Sequence, residues 1–176
     1  MRGFYSLDHN NPRIVIADSV GSKRIMEFNA LESINREQWL QRSVDEAVLI
    51  QKKSWHRKLG EVLEKCIYGQ APEQWLIEHH GFTNNPAPYQ DVLAPNGRSV
   101  EVKTTATPAW ANYVIERQED YANESWRDMA EYVMIFVGSK KLLTYSLEGV
   151  YKWEDKRLVK ISENSLSTEN LISLLS

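Results

Sequence analysis

The amino-acid sequence predicts an α/β fold in which a mixed central β-sheet is flanked by helices. Segments with apolar residues at three- and four-residue intervals alternate along the chain with short apolar strands. A hairpin pattern spans residues 89–105, and a strongly apolar strand is predicted over residues 132–137. At 176 residues the chain is long enough to bury its own core, so residues 1–176 are expected to form a single domain.

Composition and charge restrict the classes of function open to this chain. The formal net charge of −3 argues against a protein that coats nucleic acid non-specifically, because such binding needs many Lys and Arg contacts to phosphates. An enzyme with its basic residues on one face remains compatible with that charge. The chain has no long apolar run and starts with residues too polar for a signal peptide, so no membrane partner is expected. A single cysteine, Cys66, excludes an internal disulfide and favours a cytoplasmic location.

The N-terminal region, residues 1–50, is expected to be an accessory or DNA-facing elaboration. Residues 3–7 and 13–17 have the pattern of short strands, and residues 29–50 have apolar residues at helical spacing. A run with four basic residues follows. Its side chains would either contact DNA phosphates or form an ordinary solvent-exposed face at the start of a helix. Its members are Lys52, Lys53, Arg57 and Lys58.

Two helices are predicted between residues 59 and 80. The first follows the basic run and continues to about residue 68, while the second begins near Pro72 and ends at Gly81. His79 and His80 lie side by side at the end of the second helix. Because adjacent histidines point in different directions, a favourable interaction with the helix dipole explains them better than a zinc site.

The hairpin of residues 89–105 contains the strongest candidate for a functional site. A tight-turn signal at residues 95–97 separates its two strands. If Gly97 takes a left-handed conformation in a turn with a one-residue bulge, Asp91 lies opposite Glu101. A turn without that bulge would shift the register by one residue and separate the two carboxylates. The predicted site therefore depends on the conformation of Gly97.

Alternation along the second strand places Glu101 and Lys103 on one face, opposite Val100 and Val102. The carboxylates of Asp91 and Glu101 would repel each other there, and Lys103 alone cannot neutralise both. A hard divalent cation can, because Mg²⁺ prefers a few carboxylate oxygens together with water and phosphate oxygens. Such an ion activates water and neutralises charge that develops on a phosphodiester. Lys103 would then orient the water or stabilise the transition state.

This arrangement resembles the PD-(D/E)xK motif of restriction endonucleases, junction resolvases and related DNA nucleases. The motif residues here are Asp91 and, after nine intervening residues, Glu101-Val102-Lys103. The proline is displaced, since Pro88 lies three residues before Asp91 rather than beside it. A second acidic-x-Lys triplet, residues 154–156, lies in a polar segment that is interpreted as a solvated hairpin turn.

The resemblance implies roles for individual residues. Asp91, Glu101 and the carbonyl of Val102 would hold Mg²⁺, with Mn²⁺ as a substitute. Glu61, beside Gly60 on the first core helix, would complete the site, and Glu64 is its competitor. Lys103 would position the attacking water, and hydrolysis would leave a 5′-phosphate.

Further candidates for contact with DNA are Gln118, Thr104 and Trp110. Gln118 and Tyr121 resemble the glutamine-tyrosine pattern on the second core helix of many of these nucleases, although residues 113–117 could equally be strand. Thr104 follows the lysine and could bond a phosphate oxygen or simply favour the strand. Trp110 is placed in the loop after the catalytic strand, where it would stack on a base.

The resemblance covers residues 55–137, the expected nuclease core, and the C-terminal residues form an elaboration outside it. Strands are predicted over residues 142–147 and 158–161, and a final helix over residues 168–175. The expected fold is thus a restriction-endonuclease-like core, and the expected function is a metal-dependent DNA endonuclease of the restriction or nicking type. A junction resolvase or exonuclease, and a non-catalytic nucleic-acid-binding domain on the same fold, are the alternatives. A homodimer is one way in which such a protein would cut both strands.

Overall fold

The structure is a computed structural model that describes residues 4–6, 13–16, 24–85, 91–124, 129–161 and 175. Within these residues the chain forms four helices, α1 (Ala30–Ser33), α2 (Arg36–Lys53), α3 (Leu59–His80) and α4 (Ala109–Glu124). The strands of the same residues are β1 (Phe4–Ser6), β2 (Arg13–Ile16), β3 (Arg24–Asn29), β4 (Thr83–Asn84), β5 (Val92–Leu93), β6 (Ser99–Thr105), β7 (Tyr132–Gly138), β8 (Thr144–Glu154) and β9 (Arg157–Lys160).

The strands form one mixed sheet, as the sequence predicts. Their order is β1-β2-β3-β8-β7-β6-β5-β4, and β9 pairs with β8. β6 and β7 are parallel and are joined through α4, since parallel neighbours need a crossover connection. The other strand pairs are antiparallel. From α3 to β7 the element order is helix, three strands, helix, strand.

Helices cover both faces of the sheet. Alternate residues of β7 point to opposite faces, so Met134 and Phe136 pack into the larger core with α3, while Val133 and Ile135 pack with Ala111 of α4. The larger core contains an aromatic cluster in which the Trp75 ring stacks on Phe28 at 4.6 Å. We use "aromatic cluster" for Phe28, Trp75, Phe136 and Tyr145.

The prediction of two helices between residues 59 and 80 is wrong, because α3 continues through Pro72. Proline has no N–H, so the carbonyl of Tyr68 loses its helical donor four residues later. The hydroxyl of Tyr145, on β8, donates to that carbonyl at 2.8 Å instead. A tertiary hydrogen bond thus satisfies the group that would otherwise end the helix. α3 ends where predicted, at Gly81, whose φ of 71° is left-handed.

The N-terminal strands β1 and β2 match the predicted segments, and β3 is an additional strand. β3 pairs with β8, so the N-terminal region extends the same sheet instead of forming a separate layer. The predicted helix over residues 29–50 is present as α1 and α2, and asparagine side chains cap both. Asn29 accepts from the N–H of Leu31, and Asn35 accepts from the N–H of Gln38.

The C-terminal strands β8 and β9 are present close to their predicted positions. Residues 154–156 form the exposed turn between them, and Asp155 and Lys156 both have positive φ. The second acidic-x-Lys triplet is therefore a solvated turn, as interpreted. The predicted final helix lies outside the described residues apart from Leu175, which is buried. Among the described residues, no helix combines the length and apolar character needed to cross a membrane.

Candidate active site

The hairpin that carries the predicted motif has the predicted register. Gly97 is left-handed with a φ of 84°, and its N–H donates to the carbonyl of Ala94 at 2.8 Å. The N–H of Ala94 in turn donates to the carbonyl of Arg98 at 2.8 Å, which makes these residues partners across a turn with a one-residue bulge. Val92 then pairs with Val100 and Leu93 with Ser99, and the side chain of Asp91, directly before β5, lies within hydrogen-bonding reach of Glu101.

The backbone of β6 holds the Asp91 carboxylate in place. Asp91 Oδ2 accepts a hydrogen bond from the N–H of Val102 at 2.7 Å, and the N–H of Asp91 donates to the carbonyl of Val100 at 3.1 Å. Burial raises the pKa of Asp91, although the nearby Lys103 and the bond from Val102 oppose that rise. One hydrogen bond therefore holds the carboxylate and another holds the backbone of Asp91, in an environment that disfavours the negative charge.

Glu101 and Lys103 form an ion pair on the same strand. Lys103 Nζ lies 2.8 Å from Glu101 Oε1, and Glu101 is only 8% exposed. No hydrogen-bond donor within the described residues reaches Glu101 Oε2, although that atom is buried. Burial and the adjacent Asp91 raise the pKa of Glu101 to about 7. A buried carboxylate oxygen of this kind needs a partner, which a water, an ion or a proton shared with the adjacent Asp91 carboxylate would each supply.

Lys103 stays charged in this site. Burial disfavours its ammonium group, but the carboxylates of Glu101 and Asp91 outweigh that effect and raise the pKa of Lys103. Its side chain is 37% exposed, whereas that of Glu101 is 10% exposed. The ammonium group therefore lies between the buried carboxylates and the solvent, where an incoming anion would meet it first.

A glutamate that the sequence interpretation did not select joins this pair from α3. Glu73 is 4% exposed, and burial together with the charge of Asp91 raises its pKa well above the usual value. The charge of Glu101 also raises the pKa of Glu73, and the charge of Glu73 raises the pKa of Lys103. We use "carboxylate cluster" for Glu73, Asp91 and Glu101 together with Lys103.

The expected roles of Glu61 and Glu64 are corrected by this geometry. Both side chains are exposed and line a separate cavity of about 490 Å³, together with Tyr68 and Lys140. Glu73 lies twelve residues after Glu61 on the same helix, a rise of about 18 Å at 1.5 Å per residue. The structure therefore brings Glu73, and not Glu61, to the hairpin.

Arg42 connects the carboxylate cluster to α2. Its Nη1 lies 4.0 Å from Glu73 Oε1, and its Nε donates to Gln74 Oε1 at 3.3 Å. Arg42 also donates to Asn84 Oδ1 on β4. These contacts tie α2 and α3 to the edge of the sheet. A residue of the region expected to be accessory thus forms part of the site.

A cleft of about 870 Å³ opens above these residues. One wall is formed by the face of α2 that includes Gln38, Arg42, Leu49 and Lys53. The cleft extends to the carboxylate cluster, and its lining is more polar than apolar. Its further lining residues are Gln41, Asp45, Glu46, Gln70, Glu73, Gln74, Ile77, Asn84, Asn85, Asp91, Glu101 and Lys103.

The candidates for DNA contact occupy several places. Lys53 lines the cleft, Lys52 and Lys58 are exposed nearby in the sequence, and Arg57 is half-buried. The Oγ1 of Thr104 is buried without a hydrogen-bond partner in the described residues.

The helical alternative for the segment after β6 is the one observed. The expectation that Trp110 lies in a loop is wrong, because it lies in the first turn of α4, where it is 56% exposed. Gln118 is 6% exposed on the same helix, so it is not free on the surface for DNA.

A signal for Glu73 was present in the sequence. On a single helix, Val62, Cys66, Glu73, Leu76 and His80 share one face, and all of them are buried. A glutamate inside such a buried stripe is a functional candidate, because an isolated charge there is costly. The sequence prediction ends one helix near residue 68 and begins another at Pro72, so these residues are not expected to share one helix face.

The donor set suits Mg²⁺ better than a metal that needs a complete protein cage. No group of three or more His, Cys, Asp or Glu side chains in the described part of the chain is arranged to hold a metal ion. Mg²⁺ commonly takes only one or two carboxylates and completes its shell with water and phosphate oxygens. The paired carboxylates of Asp91 and Glu101, with the unsatisfied Oε2, fit that requirement.

No protein-family model matches this chain, and neither a curated protein nor a solved structure matches it.

Proposed function

We propose that this protein is a metal-dependent DNA endonuclease of the restriction or nicking type that hydrolyses phosphodiester bonds. The observation that supports the proposal is the proximity of two buried carboxyl groups, those of Asp91 and Glu101, beside the ammonium group of Lys103. A buried pair of carboxylates with a charged lysine at its solvent side has the components needed to hold a hard cation and receive a phosphate.

The element order supports the resemblance to PD-(D/E)xK nucleases. A helix, three strands, a helix and a strand follow one another from α3 to β7, and the motif lies on the second and third of these strands. Glu73 is on the first of these helices, where the resemblance calls for a glutamate. Glu73 would take the place that the resemblance gave to Glu61, next to the metal site but without ligating the ion directly.

Asp91 and Glu101 would hold the metal ion together with the carbonyl of Val102. In an extended strand the N–H and the C=O of one residue point to the same edge. Because the N–H of Val102 donates to Asp91, its carbonyl also points to the Asp91 side and away from β7. A bound Mg²⁺ would supply Lewis acidity, which favours the ionised form of water and offsets charge on the phosphodiester.

Lys103, Asp91 and Arg42 would contribute through the positions of their side chains and through their charges. Lys103 would orient the attacking water and approach the phosphate with its ammonium group, which the adjacent carboxylates keep charged. Asp91 is already fixed by two hydrogen bonds to β6, so little ordering remains to be done when substrate binds. Arg42 would hold Glu73 toward the cluster from the α2 side.

The partner of this site would be DNA, in the cytoplasm that the single cysteine favours. One site cuts one strand, so cleavage of both strands would need a homodimer or two successive events. The product would carry a 5′-phosphate, as the resemblance implies.

The direct test is cleavage of supercoiled plasmid and of long phage DNA under Mg²⁺, Mn²⁺ and EDTA. We expect metal-dependent nicking or cutting that is lost in Asp91→Ala and Lys103→Ala. The matched pair Glu73→Gln and Glu61→Gln tests the helix assignment, because only the first is expected to lose activity. Lys141→Ala, an exposed lysine outside the cleft, serves as the control. Cleavage that survives Asp91→Ala and Lys103→Ala would contradict the site.

A structure-specific or repair nuclease, such as a junction resolvase or exonuclease, is the second candidate. The depth of the site favours it, because Glu101 is nearly buried beneath a cleft with α2 as one wall. A strand with an end or a branch reaches such a site more easily than the middle of a duplex. Cleavage of branched, nicked or single-stranded DNA in preference to closed linear duplex would support this candidate.

A non-catalytic nucleic-acid-binding domain is the third candidate. The ion pair between Lys103 and Glu101 favours it, because it neutralises one carboxylate without a metal. DNA binding that is unchanged by EDTA, with no cleavage of any of these substrates under Mg²⁺ or Mn²⁺, would favour this role over the nuclease.

A further inference from the structure

The connection between α2 and α3 exposes a tryptophan within a basic segment, which we define as residues 52–58. Trp55 is 84% exposed, the largest value among the large apolar side chains of the described residues. The segment contains Lys52, Lys53, Arg57 and Lys58 and no acidic residue. An exposed indole ring among basic side chains has the chemistry to bind a partner that is both aromatic and negatively charged.

The backbone of the basic segment holds Trp55 in a defined position. The N–H of Ser54 donates to the carbonyl of Ile50 at 3.0 Å, and the N–H of Arg57 donates to the carbonyl of Ser54 at 3.0 Å. The His56 ring lies edge to face with the Trp55 ring, with 6.2 Å between ring centroids. Because the turn is already ordered, a partner that stacks on Trp55 would lose little of its binding energy to the ordering of this segment.

The basic segment is continuous with the cleft of the carboxylate cluster. Lys53 belongs to both, since it ends α2 and also lines the cleft. From Arg42 to Lys53 the helix rises about 16 Å at 1.5 Å per residue, so the basic segment lies about that far along α2 from the carboxylate cluster. Asp45 and Glu46 line the cleft between them. Attraction for phosphate is therefore concentrated at the two ends, at Lys103 and at the basic segment.

We propose that the basic segment binds an unpaired stretch of a DNA strand, with a base stacked on Trp55 and phosphates on its lysines and Arg57. This inference rests on the proposed function for the choice of DNA as partner. The strand would continue along α2 to the carboxylate cluster. An unpaired base is required because the bases of a duplex are already stacked and paired, whereas a single strand offers a free ring face to an aromatic side chain.

The test measures binding in EDTA, where the proposed cleavage is absent. The probes are a fluorescein-labelled 12-nucleotide oligothymidine and a labelled blunt duplex of the same length, and the readout is fluorescence anisotropy. We expect tighter binding of the single strand. Trp55→Ala is expected to weaken it roughly 5- to 150-fold, the effect of losing one stacked base. Trp55→Phe, which keeps an aromatic ring, is expected to lose less.

The salt dependence of binding tests the phosphate contacts of the basic segment. Replacing both Lys53 and Lys58 by alanine is expected to reduce the slope of log affinity against log salt by about 1.4, because each phosphate contact to a single strand contributes about 0.7. Lys141→Ala and Leu142→Ala are the matched controls, since both residues are exposed and lie on the turn between β7 and β8. Neither control is expected to change single-strand affinity or the salt slope.

Three results would overturn the inference. The first is unchanged single-strand affinity in both Trp55 variants. The second is an equal loss of duplex and single-strand affinity, which would remove the role of an unpaired base. The third is a change of oligomeric mass in Trp55→Ala by light scattering, which would assign the surface to a second copy of the chain. Because the assay needs no cleavage, a failure here is separate from a negative result in the plasmid test.

Discussion

The aromatic cluster and the carboxylate cluster are both buried, but they meet opposite requirements. The rings of the aromatic cluster pack at distances of 4.6–6.3 Å between centroids, and its members carry no charge. The carboxylate cluster keeps three acidic groups away from solvent, and burial raises the pKa of each. Packing in the first cluster stabilises the fold. The second retains an electrostatic cost that a bound cation would relieve, which is typical of functional sites.

Loss of the central ring should have the largest effect on stability. Trp75 is fully buried and contacts Phe28 and Phe136, so Trp75→Ala should lower the free energy of unfolding by about 3–5 kcal/mol. Urea unfolding followed by circular dichroism measures this change. Trp55→Ala is the matched control, because the same substitution at an exposed side chain should change stability by no more than about 0.5 kcal/mol. Similar losses in both variants would contradict the described core.

Acid should destabilise the edge of the aromatic cluster through His80. Burial, with a smaller contribution from His79, lowers the pKa of His80 to about 4. The unfolded state therefore binds more protons than the native state between about pH 6.5 and pH 4, so this group's contribution to stability falls as the pH falls through that window. The full loss is about 3 kcal/mol.

His80→Phe should remove that pH dependence. The measurement is the difference in unfolding free energy between wild type and variant at several pH values, because Glu73 and Glu101 contribute with the opposite sign in an overlapping range. The exposed His56, replaced in the same way, should leave the wild-type profile intact. A profile that His80→Phe leaves unchanged would show that His80 is not buried in its neutral form.

The carboxylate cluster should become more stable when a charge is removed. The pKa of Glu101 is raised from 4.5 to about 7, so the native state holds a proton that the unfolded state has lost in this window. The contribution of Glu101 to the free energy of unfolding is therefore lost as the pH rises from about 4.5 to 7. Above pH 7 the full cost of burying its negative charge remains. Glu101→Gln should stabilise the fold at pH 8 by about 3 kcal/mol, because the raised pKa of Glu101 is already the net result of burial, the Asp91 charge and the opposing attraction of Lys103.

Thermal unfolding at pH 5 and pH 8 checks this prediction. The gain from Glu101→Gln should be present at pH 8 and largely absent at pH 5. Addition of Mg²⁺ at pH 8 should stabilise wild type and leave Glu101→Gln nearly unchanged. This result would show that the metal ion offsets the free-energy cost of burying the Glu101 charge. Destabilisation by the substitution at pH 8 would mean that the ion pair outweighs the burial of charge.

The hydrogen bond that lets α3 pass through Pro72 should have the smallest effect. Tyr145→Phe leaves the carbonyl of Tyr68 without its donor and should destabilise the fold by about 1–2 kcal/mol. Pro72→Ala returns a helical N–H to that carbonyl. The cost of Tyr145→Phe should therefore shrink in the Pro72→Ala background, and a double-mutant cycle from urea unfolding measures the difference. Equal costs in both backgrounds would sink the explanation.

The part of the site that could be predicted from the sequence is the part built from neighbours along the chain. The turn at residues 95–97 requires a left-handed glycine, and Gly97 has that conformation. Once the turn type is known, strand periodicity sets the register, so Asp91, Glu101 and Lys103 follow from local rules. The mixed sheet and the helices on both of its faces were predictable in the same way, from periodicity and order.

Only the tertiary structure decided which glutamate joins them and whether the helix continues through Pro72. Pro72 normally ends a helix, and the donor that prevents this comes from Tyr145, which is seventy-seven residues away from Tyr68 along the chain. With α3 divided at Pro72, the first core helix is expected to end near residue 68, and Glu61 is chosen on it because it lies beside Gly60. On the continuous helix, Glu73 reaches the hairpin. Local sequence determines turn geometry and alternation, because both depend on adjacent residues. Contacts between distant residues depend on how complete elements pack, and no short pattern encodes them.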